Sequence, residues 1–105
     1  MPGFKNITVA ELAARLQQDG LHLVDVRTDT EVARGKIPGA CSLPLHLLPM
    51  SLSEMEKHGP IVFYCQMGGR SGQAAAFAAA QGFSDVYNLE GGMIAWINGG
   101  LPIAR

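Results

Sequence analysis

The stretch PIVFYCQMGGRSGQAAAFAAAQG, residues 60–82, predicts a strand, a loop and a helix in direct succession. Residues 61–64 form a short apolar run rich in β-branched and aromatic side chains, which is typical of a strand buried on both faces. Residues 71–81 predict a helix that starts at a hydroxyl residue and stops at Gly82. The loop between them begins at Cys65.

This loop is suited to hold one reactive sulfur. Gly68 and Gly69 allow the backbone to curl, because glycine adopts positive φ freely. A loop that enters a helix directs several N–H groups at one point, and the helix dipole adds positive potential there, which favours a thiolate at Cys65. The alternative interpretation of Cys65 is that it serves only as a small, buried hydrophobic residue. We expect Arg70 to fold back over the loop, where it would neutralise the thiolate or bind an incoming oxyanion.

Composition indicates one globular domain over residues 1–105. The chain is 48% hydrophobic and 16% charged, which argues against disorder, and a net charge of −1 gives no electrostatic case for nucleic acid or an anionic membrane. The apolar runs are too short to span a bilayer. Two cysteines do not make a disulfide framework and the start of the chain lacks a signal-like apolar segment, so we expect a cytoplasmic protein.

Strands and helices alternate along the chain without a hairpin signal. Thr8 and Glu11 match a capping box that opens a helix running to about Gln18. Strands are expected at residues 5–7, 21–26, 41–43, 61–64 and 85–89, and further helices at 28–35, 45–49, 52–57, 71–81 and 93–98. The alternation predicts an α/β fold with a mostly parallel sheet of about five strands and helices on both faces. In such a sheet ligands bind beyond the C-terminal ends of the strands.

Four segments resemble motifs of the rhodanese family of sulfurtransferases, and they follow one another along the chain in the family's order. Residues 65–71, Cys-x-x-x-x-Arg-Ser, resemble its active-site loop, and residues 25–27 resemble its DVR. Residues 31–40 resemble its E-x-x-x-G-H-I-P-G-A segment, with Lys36 in place of the histidine. Residues 89–96 resemble its L-x-G-G-x-x-x-W segment. The resemblance implies a single rhodanese-like domain.

The resemblance also implies a chemistry for the loop. The Cys65 thiolate would take the outer sulfur of a small donor such as thiosulfate as a persulfide, and a thiol, a protein or cyanide would accept it. No metal or organic cofactor is implied, and we expect a monomer. The implied substrate-binding residues are Gln66, Met67, Gly68, Gly69, Arg70 and Ser71, with Asp25 and Arg27 in support.

Other interpretations stay open at this point. Phosphatases with this fold place five residues between cysteine and arginine, whereas four intervene here, but phosphate or arsenate chemistry is the alternative within enzymes. A binding or regulatory module is the alternative outside them. Asp25 and Arg27 also suit a structural role, with Arg27 paired to Glu31 one helical turn on. Cys41 is expected to be buried and inert, and a role as a resolving cysteine is the alternative.

Overall fold

The computed structural model describes residues 3–17 and 20–105, so the predicted helix end at Gln18 lies outside the described residues. The strands are β1 (Lys5–Ile7), β2 (His22–Asp25), β3 (Cys41–Ser42), β4 (Ile61–Tyr64) and β5 (Val86–Leu89). The helices are α1 (Val9–Arg15), α2 (Asp29–Ala33), α3 (Leu48–Leu52), α4 (Gly69–Ala80) and α5 (Gly92–Asn98), with a 3-10 turn at Leu45–Leu47 before α3.

The five strands form one sheet in the order β1-β5-β4-β2-β3, and every strand pairing is parallel. All four residues of β4, at the centre, are buried. Parallel pairing brings the C-terminal ends of β2, β4 and β5 to one edge, where Asp25 lies opposite Tyr64 and Cys65 follows directly. The predicted α/β fold with a parallel sheet is confirmed.

Each face of the sheet carries its own helices. On one face Phe63 packs in a cluster with Leu48 of α3 and the small side chains of α4, such as Ala74 and Ala78. On the other face Tyr64 packs with Leu12 of α1 and Trp96 of α5. Phe63 and Tyr64 reach opposite faces of the sheet because successive side chains alternate along a strand. Thr8 and Glu11 form the predicted capping box of α1, with both hydrogen bonds present.

Two predicted helices differ from the structure. Helix α4 begins at Gly69 rather than at Ser71, because Gly68 takes the N-cap position with φ +118°, a conformation that glycine adopts without strain. The predicted helix at residues 52–57 is absent, since α3 ends at Leu52. Ser51 and Ser53 donate their hydroxyl groups to backbone carbonyls of the preceding turn, a pattern that competes with continued helix.

Candidate active site

Strand β4 ends at the loop, and helix α5 holds the loop in place. The N–H groups of Met93 and Ile94 donate to the carbonyl oxygens of Cys65 and Gln66 at 2.9 and 3.2 Å. A Cβ atom at Gly92 would lie 2.7 Å from the Gln66 carbonyl oxygen and closer still to that of Cys65. The absence of a side chain at Gly92 therefore lets the start of α5 press directly against the cysteine loop.

The sulfur of Cys65 is enclosed by hydrogen-bond donors. The Cys65 residue is only 2% exposed. The N–H of Gly68 donates to Sγ at 3.0 Å, and the hydroxyl of Ser71 lies 3.3 Å from it. Burial raises the pKa of the Cys65 thiol, but hydrogen bonds from the Ser71 hydroxyl and from the N–H groups of Ser71, Gly68 and Met67 outweigh burial and leave the pKa below its ordinary value. The loop thus favours a thiolate.

Asn88 of β5 belongs to this hydrogen-bond network, although no sequence motif selected it. Its Oδ1 lies 2.6 Å from the Ser71 hydroxyl, whose single proton it shares with Sγ, and its Nδ2 donates to the Gly68 carbonyl at 3.3 Å. Asn88 therefore ties two donors around Sγ to the sheet. The sequence signal that could have selected Asn88 is its position as a polar residue in an otherwise apolar strand that ends at the expected binding edge.

Asp25 and Arg27 form a buried ion pair behind the loop, with exposures of 0% and 3%. Arg27 donates to Asp25 through Nε and Nη2, and Nη1 donates to Gln66 Oε1 at 3.2 Å. Burial lowers the pKa of Arg27, but the Asp25 carboxylate outweighs this and raises it. The predicted pairing of Arg27 with Glu31 is wrong, because a buried guanidinium needs a partner buried beside it. Among the hydrogen bonds of the described residues, the pair reaches the loop through Gln66.

Glu31 instead binds Arg70. The two guanidinium nitrogens Nη1 and Nη2 of Arg70 lie 2.6 and 2.8 Å from the two carboxylate oxygens. Hydrogen bonds from Arg70 lower the pKa of Glu31 to about 2, and hydrogen bonds with Thr28 act in the same direction. Burial raises the pKa but does not outweigh them. The same pair raises the pKa of Arg70. The guanidinium that was expected over the thiolate is therefore held by a carboxylate from α2.

A cavity of about 300 Å³ opens beside the loop. It is lined by Arg27, Glu31, Arg34, Gly35, Gln66, Met93, Ile97 and Ile103. Met67, at the tip of the loop, is 72% exposed. Lys36, which replaces the expected histidine, donates Nζ to the Ala40 carbonyl at 3.1 Å and does not line the cavity. Of the predicted site residues, the structure thus brings Gln66 and Arg27 to the cavity, whereas Cys65 is not among the residues that line it.

Cys41 is exposed, so the expectation that it is buried was wrong. It lies on the edge strand β3, which the rest of the sheet covers on one side only. Cys41 is opposite Val24, and Val24 is opposite Phe63, so two strand spacings of about 4.8 Å separate β3 from β4. A disulfide requires Cα atoms no more than about 7 Å apart, so Cys41 and Cys65 cannot form one in this fold without movement of the backbone.

Two kinds of feature are absent from the described part of the chain. Residues 3–17 and 20–105 contain no group of three histidine, cysteine or acidic side chains placed to hold a metal ion. Within the same residues, no helix is long and apolar enough to cross a membrane.

These features define a class: a parallel α/β domain that presents a cysteine in a glycine-containing loop at the start of a helix. Residues 8–98 match the model of the rhodanese-like domain family. The chain belongs to the rhodanese-like domain family, as its sequence motifs predicted.

Two proteins and one solved structure show how similar this chain is to known members of the fold. A protein of Allochromatium vinosum named sulfurtransferase is 52% identical over 81 residues, which cover 77% of this chain and 76% of that protein. Thiosulfate sulfurtransferase GlpE of Ectopseudomonas mendocina is 36% identical over 96 residues, with coverages of 91% and 87%. A solved structure from Rhodopseudomonas palustris, described as a possible tyrosine phosphatase of unknown function, superposes with a TM-score of 0.89 at 31% identity, with coverages of 96% and 85%.

Proposed function

We propose that this protein is a sulfurtransferase that carries sulfur as a persulfide on Cys65. One observation carries the proposal: Sγ lies 3.0 Å from the Gly68 N–H, within reach of the Ser71 hydroxyl, in a site that lowers the pKa of the thiol. A thiolate is the nucleophilic form of cysteine, and its attack on a sulfur–sulfur bond is the chemistry that such a site serves. The relatives named sulfurtransferases agree with this assignment.

In the first step the Cys65 thiolate attacks the outer sulfur of a donor such as thiosulfate. A new bond forms between Sγ and that sulfur while the sulfur–sulfur bond of thiosulfate breaks. Sulfite leaves with the electron pair, so Cys65 becomes a persulfide that keeps one negative charge. The N–H groups that surround Sγ would stabilise this charge on the terminal sulfur.

In the second step a thiolate or cyanide attacks the terminal sulfur of the persulfide. The bond between the two sulfurs breaks, and the electron pair returns to Sγ as the Cys65 thiolate. The acceptor departs with one additional sulfur. Because the donor product leaves before the acceptor reacts, the scheme requires ping-pong kinetics. The expected cytoplasmic location and monomeric state stay predictions.

The length of the loop argues against the phosphatase alternative. Gln66, Met67, Gly68 and Gly69 are the four residues between the cysteine and Arg70. The Gly68 N–H already contacts Sγ, and Ser71 closes the other side, so the loop surrounds a single sulfur tightly. Turnover of an aryl phosphate that is lost in Cys65→Ser would establish a phosphatase instead.

The experiment that tests the proposal is intact mass measurement after incubation with thiosulfate. We expect one added sulfur atom, mapped to Cys65, and its release as thiocyanate when cyanide is added. Cys41→Ser should take up sulfur normally, whereas Cys65→Ser should take up none. A folded protein that gains no sulfur from any donor would be a binding or regulatory module, and sulfur on Cys65→Ser would place the nucleophile elsewhere.

A further inference from the structure

The ion pair between Glu31 and Arg70 has a consequence for the substrate of the proposed sulfurtransferase. Both carboxylate oxygens of Glu31 accept from the guanidinium of Arg70, at 2.6 and 2.8 Å. Two parallel hydrogen bonds of this kind are the geometry with which arginine binds an oxyanion. The carboxylate therefore occupies the part of Arg70 that a sulfonate group would need.

Glu31 is held in this place by its own helix as well as by Arg70. Its Oε1 accepts from the backbone N–H of Thr28 at 3.1 Å, and the Thr28 hydroxyl caps the Glu31 N–H in return. This capping box fixes the carboxylate at the start of α2. With a pKa of about 2, Glu31 stays charged at any pH at which the enzyme would work.

Glu31 also lines the cavity beside the loop, with Arg34 and Arg27. Arg27 is neutralised by Asp25, and Arg70 by Glu31, so two of the cations near the loop carry partners. The carboxylate of Glu31 thus faces the cavity with its charge balanced by Arg70. A dianion such as thiosulfate must therefore displace Glu31 to reach Nη1 and Nη2 of Arg70.

We propose that Glu31 is a specificity-determining residue that directs the site toward hydropersulfides of uncharged or weakly charged thiols rather than toward oxyanion donors such as thiosulfate. This inference rests on the proposed function and names its donor class. A hydropersulfide R–S–SH needs the donors around Sγ but no free guanidinium. The Cys65 thiolate attacks its outer sulfur, the sulfur–sulfur bond breaks, R–S⁻ leaves with the electron pair, and Cys65 becomes the hydropersulfide.

The test compares two donors on two matched variants. Glu31→Gln removes the charge and keeps an oxygen that can accept from Thr28. Glu11→Gln is the control, because Glu11 occupies the same position in the capping box of α1, changes the net charge equally and neither contacts Arg70 nor lines the cavity. The rate at which Cys65 gains sulfur is measured by intact mass, with thiosulfate and with the hydropersulfide of 2-mercaptoethanol.

We expect Glu31→Gln to raise the thiosulfate rate relative to the hydropersulfide rate by about two- to fivefold, the scale of a partly exposed bidentate ion pair. Glu11→Gln should leave the ratio unchanged. An unchanged ratio in Glu31→Gln overturns the inference, and equal losses with both donors assign Glu31 to support of the loop alone.

A binding measurement separates this inference from the proposed function. In the Cys65→Ser background no sulfur is transferred, and sulfate serves as the probe of Arg70. Glu31→Gln should bind sulfate more tightly than its parent by a similar factor, as followed by NMR titration. If the wild-type protein takes sulfur from neither donor, the proposed function fails whatever the sulfate result. Equal sulfate affinity in the two proteins would show that Glu31 does not block Arg70, and it would overturn the inference.

Discussion

Gly92→Ala is the substitution that tests most sharply how α5 shapes the cysteine loop. The new Cβ would lie 2.7 Å from the Gln66 carbonyl oxygen and closer to that of Cys65, and both atoms belong to the backbone. Gly92 also has φ +56°, in the left-handed region. The conformation costs roughly 1–2 kcal/mol for alanine, and the forced displacement of a packed backbone costs about 1–3 kcal/mol.

We therefore expect Gly92→Ala to lower the free energy of unfolding by about 2–5 kcal/mol, as the sum of these two costs. The assay is equilibrium urea unfolding. Gly100→Ala is the matched control, because Gly100 has φ +73° but no atom within 4 Å of the position that a Cβ would take, so it carries the conformational cost alone. The reasoning is refuted if Gly92→Ala loses no more stability than Gly100→Ala.

Two other substitutions probe the groups behind the sulfur. Ser71→Ala removes a hydroxyl that lowers the pKa of Cys65, so the midpoint of sulfur uptake against pH should move upward; an unmoved midpoint would mean that the N–H groups suffice. Asp25→Asn leaves the guanidinium of Arg27 buried without a counter-charge, which should cost about 3–5 kcal/mol in urea unfolding. Asp29→Asn, at an exposed carboxylate, is its control, and equal losses would contradict the role of the buried pair.

The parts of the fold that depend on local sequence were predictable. The apolar run of β4 and the alternation of strands and helices indicated the parallel sheet, because burial on both faces demands continuous apolar strands. The capping box at Thr8 could be predicted from the sequence, since its two partners are three residues apart. The start of α4 was missed by two residues, because a hydroxyl residue and a glycine both serve as N-caps and the structure uses Gly68.

The two ion pairs at the site were not predictable in this way. Glu31 and Arg70 are 39 positions apart, and the choice of Asp25 as the partner of Arg27 depends on which side chains are buried together. The exposure of Cys41 follows from the position of β3 at the edge of the sheet. Strand order is a property of the whole topology, whereas the apolar pattern around Cys41 is the same for an edge strand and a central one.

The measurement that tests the central claim most directly is the rate of sulfur uptake by Cys65 as a function of pH. It is made with excess thiosulfate on Cys41→Ser, so that the exposed thiol does not contribute, and is followed by intact mass. Because the nucleophile is the thiolate and the site lowers its pKa, the rate should rise with pH to a plateau whose midpoint lies below the value measured in the same way for the urea-unfolded protein. A midpoint at or above that value, or no uptake of sulfur at any pH, would contradict the account.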